Sequence, residues 1–229
     1  MKGRYLPENC RETINTILKE TYGYEQFRNL EIYDDLSKGK EKLCISQGQL
    51  IENVILEAEK AWKGETQVDN ILLTAPTGSG KSLLFQLPAI YLGKEYNLLT
   101  IVVSPLKALI VDQVESLQEL GYMRVAYASS DLSPEQKMEV YRQVREGEID
   151  LFYLSPELLL SYDIKHFVGE RRIGLVVVDE AHTVTTWGKE FRVDYLVLGA
   201  LPDCFEQTLG YNFPFVCIDC YGCLEPERR

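Results

Sequence analysis

Short apolar runs alternate with amphipathic segments along residues 70–200. The runs are rich in branched aliphatic residues and predict buried strands at 70–74, 99–103, 124–127, 150–154 and 173–178. The intervening segments carry apolar residues at helical spacing and predict helices at 80–92, 106–120, 133–146, 156–168 and 193–200. This alternation predicts an α/β domain whose sheet is mostly parallel and covered by helices on both faces.

Upstream of this region the pattern changes. Residues 49–62 repeat apolar groups at helical spacing and predict one more helix, whereas residues 1–45 are polar and rich in tyrosine. We therefore predict an N-terminal extension over 1–45, helical or partly ordered, followed by one domain over 46–216. Residues 217–229 do not continue the pattern and are interpreted as an aberrant or truncated C-terminal tail.

Composition narrows the function classes. The chain has 229 residues, 45% of them hydrophobic, and a formal net charge of −11. No apolar run reaches the eighteen or so residues that span a bilayer, and no signal peptide is visible, so a cytoplasmic protein is predicted. The acidic balance disfavours nucleic-acid binding through bulk basicity, but it leaves room for a local binding groove.

A glycine-rich loop follows the first predicted strand of the domain. Residues 75–82 read Ala-Pro-Thr-Gly-Ser-Gly-Lys-Ser. Small residues allow backbone N–H groups to surround phosphate oxygens, the lysine adds a positive charge, and the final serine hydroxyl reaches Mg²⁺. The alternative is an ordinary Gly-Ser turn. The predicted ATP-binding residues are Thr77, Gly78, Ser79, Gly80, Lys81 and Ser82, and Ser82 is also a predicted Mg²⁺ ligand.

A second acidic motif ends the last strand of the alternating region. Residues 175–182 read Leu-Val-Val-Val-Asp-Glu-Ala-His. We predict that Asp179 holds Mg²⁺ and that Glu180 orients and deprotonates the water that attacks the γ-phosphate. Lys81 and this acidic pair, closing a neighbouring strand, would grip the triphosphate from two sides. The alternative is a strand that ends in a charged turn.

The residues after this acidic pair carry a family resemblance. Residues 179–195, DEAHTVTTWGKEFRVDY, resemble the acidic motif and aromatic-rich loop of the RecQ family of superfamily 2 DEAH-box DNA helicases. The residues that match this loop are Trp187, Gly188, Phe191, Arg192 and Tyr195. The resemblance implies the first RecA-like lobe of a P-loop NTPase over about residues 46–216. It also implies that the loop binds single-stranded DNA, where an aromatic face stacks on bases; a plain core role for Trp187 remains the alternative.

Further family positions lie upstream. Gln49 aligns with the glutamine that reads adenine, although Ser46 stands where the family has arginine and an ordinary helix-start glutamine is the alternative. His182 aligns with a residue that relays between the ATP and DNA sites.

Residues 102–113, VVSPLKALIVDQ, resemble the family's motif Ia. By this resemblance Ser104, Pro105, Lys107 and the following helix N-terminus face the DNA backbone. Helix N-termini bind phosphates without a basic patch. A generic strand–turn–helix unit is the alternative. In residues 151–160 the family has an arginine where this chain has Leu158.

The resemblance implies a 3′–5′ ATP-dependent DNA helicase that acts on single-stranded and duplex DNA with ATP and Mg²⁺, in DNA repair, recombination or phage defence. Such an enzyme needs a second RecA-like lobe with an arginine finger, and we expect this chain to lack it. The alternative is a truncated, hydrolytically inactive module that binds nucleotide and DNA and needs a partner lobe. A DEAH protein acting on RNA is a further alternative.

Cysteines cluster near the C-terminus. Cys204, Cys217, Cys220 and Cys223 have a spacing compatible with zinc or an iron–sulfur cluster. Free thiols at a strand end are the favoured interpretation, because cytosolic cysteines are usually reduced.

Overall fold

The computed structural model describes residues 7, 9–33, 42–75, 78–180 and 202–219. In chain order, the described elements are α1 (Glu12–Tyr22), β1 (Asn29–Tyr33), β2 (Lys42–Ser46), α2 (Gln47–Trp62), β3 (Ile71–Thr74), α3 (Leu83–Tyr96), β4 (Leu99–Val103), α4 (Lys107–Glu119), β5 (Val125–Ala128), α5 (Pro134–Arg145), β6 (Leu151–Leu154), α6 (Pro156–Leu160), α7 (Ile164–Val168), β7 (Ile173–Val178), α8 (residues 202–209) and β8 (Phe215–Asp219).

A parallel sheet forms the centre of the molecule. Its six strands lie in the order β3-β8-β7-β4-β6-β5, and every neighbouring pair is parallel. Side chains alternate between two cores: Val102 of β4 faces one, while Ile101 and Val103 face the other. The first core also receives apolar side chains of α1 to α4, and the second those of α5 to α8. The predicted α/β fold with helices on both faces is confirmed.

Strand β8 corrects one expectation. It lies between β3 and β7, so the acidic pair after β7 does not close the strand next to the glycine-rich loop. The last described strand in the chain therefore occupies a central position, hydrogen-bonded on both sides. Both motifs still face the same edge of the sheet, because β3 and β7 run in the same direction and each motif follows its strand.

Two helix boundaries differ from the pattern. The helix predicted at 156–168 is divided into α6 and α7, because the Asp163 side chain caps the second helix by accepting the Lys165 N–H at 2.8 Å. Helix α3 begins at Leu83 rather than residue 80, and it ends where Asn97 adopts a left-handed φ of 53°. The helix predicted at 193–200 lies outside the described residues.

The N-terminal segment packs against the domain. Strand β2 pairs antiparallel with β1 and runs to Ser46, across the predicted boundary at residue 45. Upstream, the Arg11 guanidinium makes ion pairs with Glu52 at 2.6 Å and Glu59 at 2.5 Å on α2. Strand β8 likewise runs across the predicted boundary at residue 216. Among the described residues, no helix has the length and apolar character needed to cross a membrane.

Candidate functional site

The glycine-rich loop connects β3 to α3 with two left-handed glycines. Gly78 has φ of 78° and Gly80 of 77°, conformations that other residues rarely adopt. A Cβ at Gly80 would lie 2.8 Å from Nε2 of Gln47, so a larger residue would also displace this amide. The loop therefore keeps its backbone uncovered, as a phosphate-binding loop requires. Pro76 and Thr77 lie outside the described residues.

Gln47 holds this loop from the first turn of α2. Its Nε2 donates to the Ser79 carbonyl at 2.8 Å, and its Oε1 accepts the Arg28 N–H at 3.1 Å. The Ser79 hydroxyl oxygen is buried and has no hydrogen-bond partner among the described residues. An orphaned buried hydroxyl inside a loop of this shape is consistent with a polar ligand in the loop.

The acidic pair lies opposite the loop. Lys81 Nζ is 3.9 Å from Oε1 of Glu180, so the two motifs meet although 99 residues of sequence separate Lys81 from Glu180. Glu180 adopts a left-handed φ of 51°, which is uncommon for a residue other than glycine. Its N–H donates to Oδ1 of Asp179 at 3.0 Å. Such local strain is found where side chains are held for function.

The buried position of Asp179 makes its carboxyl group costly to ionise. It is 6% exposed, and burial together with the charge of Glu180 raises the pKa of Asp179 to about 6. The Lys81 charge and a hydrogen bond from Gln113 Nε2, 3.4 Å from Oδ2, act in the opposite direction. A cation placed beside this carboxylate would offset the cost of ionising it.

The donor set suits a hard cation beside a phosphate chain. Carboxylate and hydroxyl oxygens, as on Asp179 and the half-buried Ser82, are the ligands that Mg²⁺ prefers. Lys81 adds the positive charge that a phosphate group needs. The site thus combines a glycine-rich loop suited to an anion, a carboxylate suited to a cation and a second carboxylate, the kinds of group that phosphoryl transfer to water requires.

Gln49 has a structural role in this conformation. Ser46 and Gln49 form a capping box at the start of α2, in which Oε1 of Gln49 accepts the Ser46 N–H at 3.0 Å. Its Nε2 donates to the Pro7 carbonyl at 3.1 Å. An adenine contact by Gln49 would have to replace these bonds, so the assignment stays a prediction.

The residues predicted to face DNA at the turn before α4 differ in how exposed their side chains are. Ser104 is 2% exposed, and its hydroxyl has no partner among the described residues, so its side chain does not reach the surface. Pro105 is half-buried and Lys107 is exposed. Lys107 Nζ forms an ion pair with Oδ1 of Asp131 at 2.9 Å. Of these three predicted contacts, Lys107 has the most exposed side chain.

Several predicted residues lie outside the described part of the chain. They include four of the predicted DNA-coupling residues, His182, Trp187, Phe191 and Arg192, as well as Thr77, Cys220 and Cys223. Cys204 is exposed on α8, and Cys217 is half-buried on β8. The described residues contain no group of three or more metal-ligating side chains, and the cysteine-metal hypothesis remains untested.

The chain matches a family model over the region that contains the candidate site. The model for DEAD/DEAH box helicases matches residues 51–209, which include the glycine-rich loop and the acidic pair. The chain belongs to the DEAD/DEAH box helicase family. Within this family, its similarity to RecQ helicases confirms the resemblance to a RecQ-like first lobe.

Curated relatives of this helicase domain are RecQ proteins. It is 30% identical over 198 residues to the ATP-dependent DNA helicase RecQ of Haemophilus influenzae, and 34% identical over 193 residues to that of Synechocystis. The matches cover 86% and 83% of this chain but only 27% and 34% of those proteins. A match over 86% of the chain is longer than residues 46–229, so the similarity reaches into the segment before residue 46.

Solved structures support the fold of the helicase domain. The DUF1998 helicase MrfA bound to DNA matches with a TM-score of 0.58 and 21% identity, covering 95% of this chain and 27% of that one. The helicase domain of Pyrococcus furiosus Hef matches with a TM-score of 0.53 and 17% identity, covering 77% of this chain and 33% of that one. At these identities the likeness concerns the fold alone.

The sequence analysis missed two glutamines that support the helicase site. Gln47 contacts the glycine-rich loop, and Gln113 contacts Asp179. Gln113 lies beside Ile110, Val114 and Leu117, the buried stripe of α4. An amide next to the apolar stripe of a helix is a signal that this side chain has a buried polar partner.

Proposed function

We propose that this chain is the ATP-binding lobe of a RecQ-like DNA-dependent ATPase, which couples ATP hydrolysis to movement along single-stranded DNA and to duplex unwinding. The observation that supports this proposal most directly is the 3.9 Å approach of Lys81 Nζ to Glu180 Oε1. The family match and the RecQ relatives supply the nucleic-acid substrate and the ATP dependence of the proposal. A second RecA-like lobe would complete the site.

The proposed chemistry assigns one role to each group. The backbone of residues 78–80 and the Lys81 ammonium would hold the β- and γ-phosphates. Ser82 and Asp179 would hold Mg²⁺, which, when bound, neutralises the phosphate charge. Glu180 would orient the attacking water and accept its proton.

The ion pair between Lys81 and Glu180 has a consequence for this chemistry. When phosphates arrive, the lysine gains stronger anionic partners, and Glu180 loses some of the attraction that holds its carboxylate toward Lys81. We infer that nucleotide binding thereby releases Glu180 to receive the water. The base would become available only once its substrate is in place.

The decisive experiment measures ATP turnover with and without single-stranded DNA. The second lobe of a RecQ relative is supplied as a separate chain. We expect DNA-stimulated turnover that Glu180→Gln reduces on the order of 10²–10⁴-fold while nucleotide affinity changes little. Lys81→Ala is expected to lose nucleotide affinity itself, and Trp187→Ala to lose DNA stimulation.

Matched controls lie on α3, the helix that follows the glycine-rich loop. Lys94→Ala and Glu95→Gln repeat the two charge changes at exposed positions and should leave turnover unchanged. Absence of DNA-stimulated turnover with the second lobe present would contradict the proposed function. Calorimetric binding of Mg·ATP with negligible turnover under every addition would instead favour a nucleotide- and DNA-binding module.

A further inference from the structure

A chain of hydrogen bonds crosses the core and ends at Asp179. The Tyr22 hydroxyl donates to Oε1 of Gln86 at 2.9 Å, and Nε2 of Gln86 donates to the Tyr153 hydroxyl at 3.2 Å. The Tyr153 hydroxyl donates to Oε1 of Gln113 at 2.9 Å, and Nε2 of Gln113 donates to Oδ2 of Asp179 at 3.4 Å. Each donor points toward the carboxylate, so neighbouring bonds polarise one another in the same direction.

This series of hydrogen bonds fixes the orientation of the Gln113 amide. Its Oε1 accepts from Tyr153 and, at 3.5 Å, from Nε2 of Gln86, so a flipped amide would place its Nε2 against Nε2 of Gln86 and its oxygen against the Asp179 carboxylate. Tyr153 is fully buried on β6 and Gln86 is 5% exposed on α3, so neither partner has water as a substitute. The amide N–H of Gln113 is therefore held toward Asp179.

The bond from Gln113 to Asp179 is the longest of the four hydrogen bonds that connect Tyr22 to Asp179. At 3.4 Å it exceeds the usual range for N–H···O bonds, whereas the Tyr153 bond is a normal 2.9 Å. Gln113 belongs to α4, whose first residue is the exposed Lys107. A small shift of α4 would shorten this bond or break it. The hydrogen bonds among Tyr22, Gln86 and Tyr153 do not involve α4 and lie in the core.

We propose that Gln113 is a positioning residue that transmits the occupancy of the α4 N-terminus by single-stranded DNA to Asp179. This inference rests on the proposed function, which gives Asp179 a metal ion, and on the predicted contact between a DNA phosphate and Lys107 at the start of α4. DNA bound at Lys107 displaces α4, and Gln113 transmits this displacement to the carboxylate of Asp179, the proposed Mg²⁺ ligand. The connection lies within one lobe and uses no residue of the aromatic-rich loop.

The test is a binding cycle rather than turnover. A fluorescent Mg·AMP-PNP analogue is titrated into the wild-type chain with and without saturating oligo(dT), and oligo(dT) is titrated with and without nucleotide. We expect each ligand to tighten the other by about fivefold or more, by the same factor in both directions. Replacing Mg²⁺ by EDTA should remove this coupling.

Three variants isolate Gln113. Gln113→Met keeps the length of the side chain without its amide, and Gln113→Glu keeps the acceptor for Tyr153 but offers Asp179 no donor. Both should reduce the coupling factor below about twofold, with the factor taken relative to each variant's own affinity for either ligand alone. Gln118→Leu on the same helix, bonded to the Val125 carbonyl instead, should retain full coupling.

The outcomes separate the two proposals. Full coupling in a folded Gln113→Met or Gln113→Glu variant overturns the inference, as does a wild type that binds both ligands without coupling. A wild-type chain that binds neither ligand overturns the proposed function and the inference with it. If thermal melting shows that Gln113→Met is unfolded, Gln113→Asn replaces it, because a shorter amide cannot span Tyr153 and Asp179.

Discussion

At the scale of single residues, the site depends on charges that hold each other in place. Lys81 faces Glu180, and Lys107 faces Asp131. Each lysine predicted to bind phosphate therefore already has a carboxylate partner within 4 Å. An exposed pair such as Lys107–Asp131 contributes little stability, so its main consequence is competition between Asp131 and any phosphate for the same ammonium.

This competition predicts opposite effects for the two partners. Lys107→Ala should weaken binding of single-stranded DNA and make the slope of log affinity against log salt shallower by about 0.7. Asp131→Asn should tighten binding by about threefold, because it removes a competing charge and its repulsion of phosphate. Fluorescence anisotropy across a salt series measures both.

Lys165→Ala is the control for a generic loss of positive charge. It removes an exposed lysine of α7, on the opposite face of the sheet from α4, and should leave the slope unchanged. Equal slopes for Lys107→Ala and wild type would show that Lys107 does not carry a phosphate contact.

At the scale of elements, the segment before α2 packs against the domain. Arg11 bonds Glu52 and Glu59 on α2 and lies 4.8 Å from the ring centre of Tyr91 on α3. One side chain thereby ties the start of α1 to two helices of the sheet's first face. Burial raises the pKa of Glu59, but hydrogen bonds from Arg11 and Tyr96 outweigh burial and leave the pKa below its ordinary value.

Removing this tie should destabilise the whole domain. Arg11→Met leaves two largely buried carboxylates without their cation, and we expect a loss of about 2–3 kcal/mol in the free energy of unfolding by urea titration. Lys19→Met breaks the exposed pair with Glu25 and should cost less than about 0.5 kcal/mol.

The Arg11 effect has a defined pH dependence. A carboxyl whose folded pKa is lowered contributes stability above its unfolded pKa, and that contribution is lost as the pH falls through the folded value. The difference between wild type and Arg11→Met should therefore narrow as the pH falls below 4.5, the ordinary pKa of Glu59. A difference that is constant across this range would mean that Arg11 acts through packing rather than charge.

At the scale of the whole molecule, the order of the strands decides where the motifs meet. Strand β8 separates β3 from β7, and it pairs with both. The distance between the glycine-rich loop and the acidic pair is therefore set by a strand that begins 35 residues after Glu180 in the chain.

This arrangement predicts a sharp dependence on β8. A chain that ends at residue 212 should lose cooperative unfolding and expose apolar surface, because β3 and β7 would each lose a hydrogen-bonded neighbour. A chain that ends at residue 219 retains β8 and is the matched control. Circular dichroism melting and dye binding distinguish them; a cooperative transition in the shorter chain would contradict the central role of β8.

The amino-acid sequence by itself determined the strands of the alternating region and the motifs that point to the candidate site. Short apolar runs predicted β3 to β7 within about a residue, because continuous apolar character is a local signal of a buried strand. The motifs at residues 75–82 and 179–180 predicted which side chains belong together, because motif chemistry is encoded by neighbours in sequence. Only the tertiary structure decided the strand order, the carboxylates that Arg11 contacts, and the hydrogen-bond partners of the Gln47 and Gln113 amides. These depend on which distant segments are packed side by side, and a buried amide acquires its meaning only from the partner that packing brings to it.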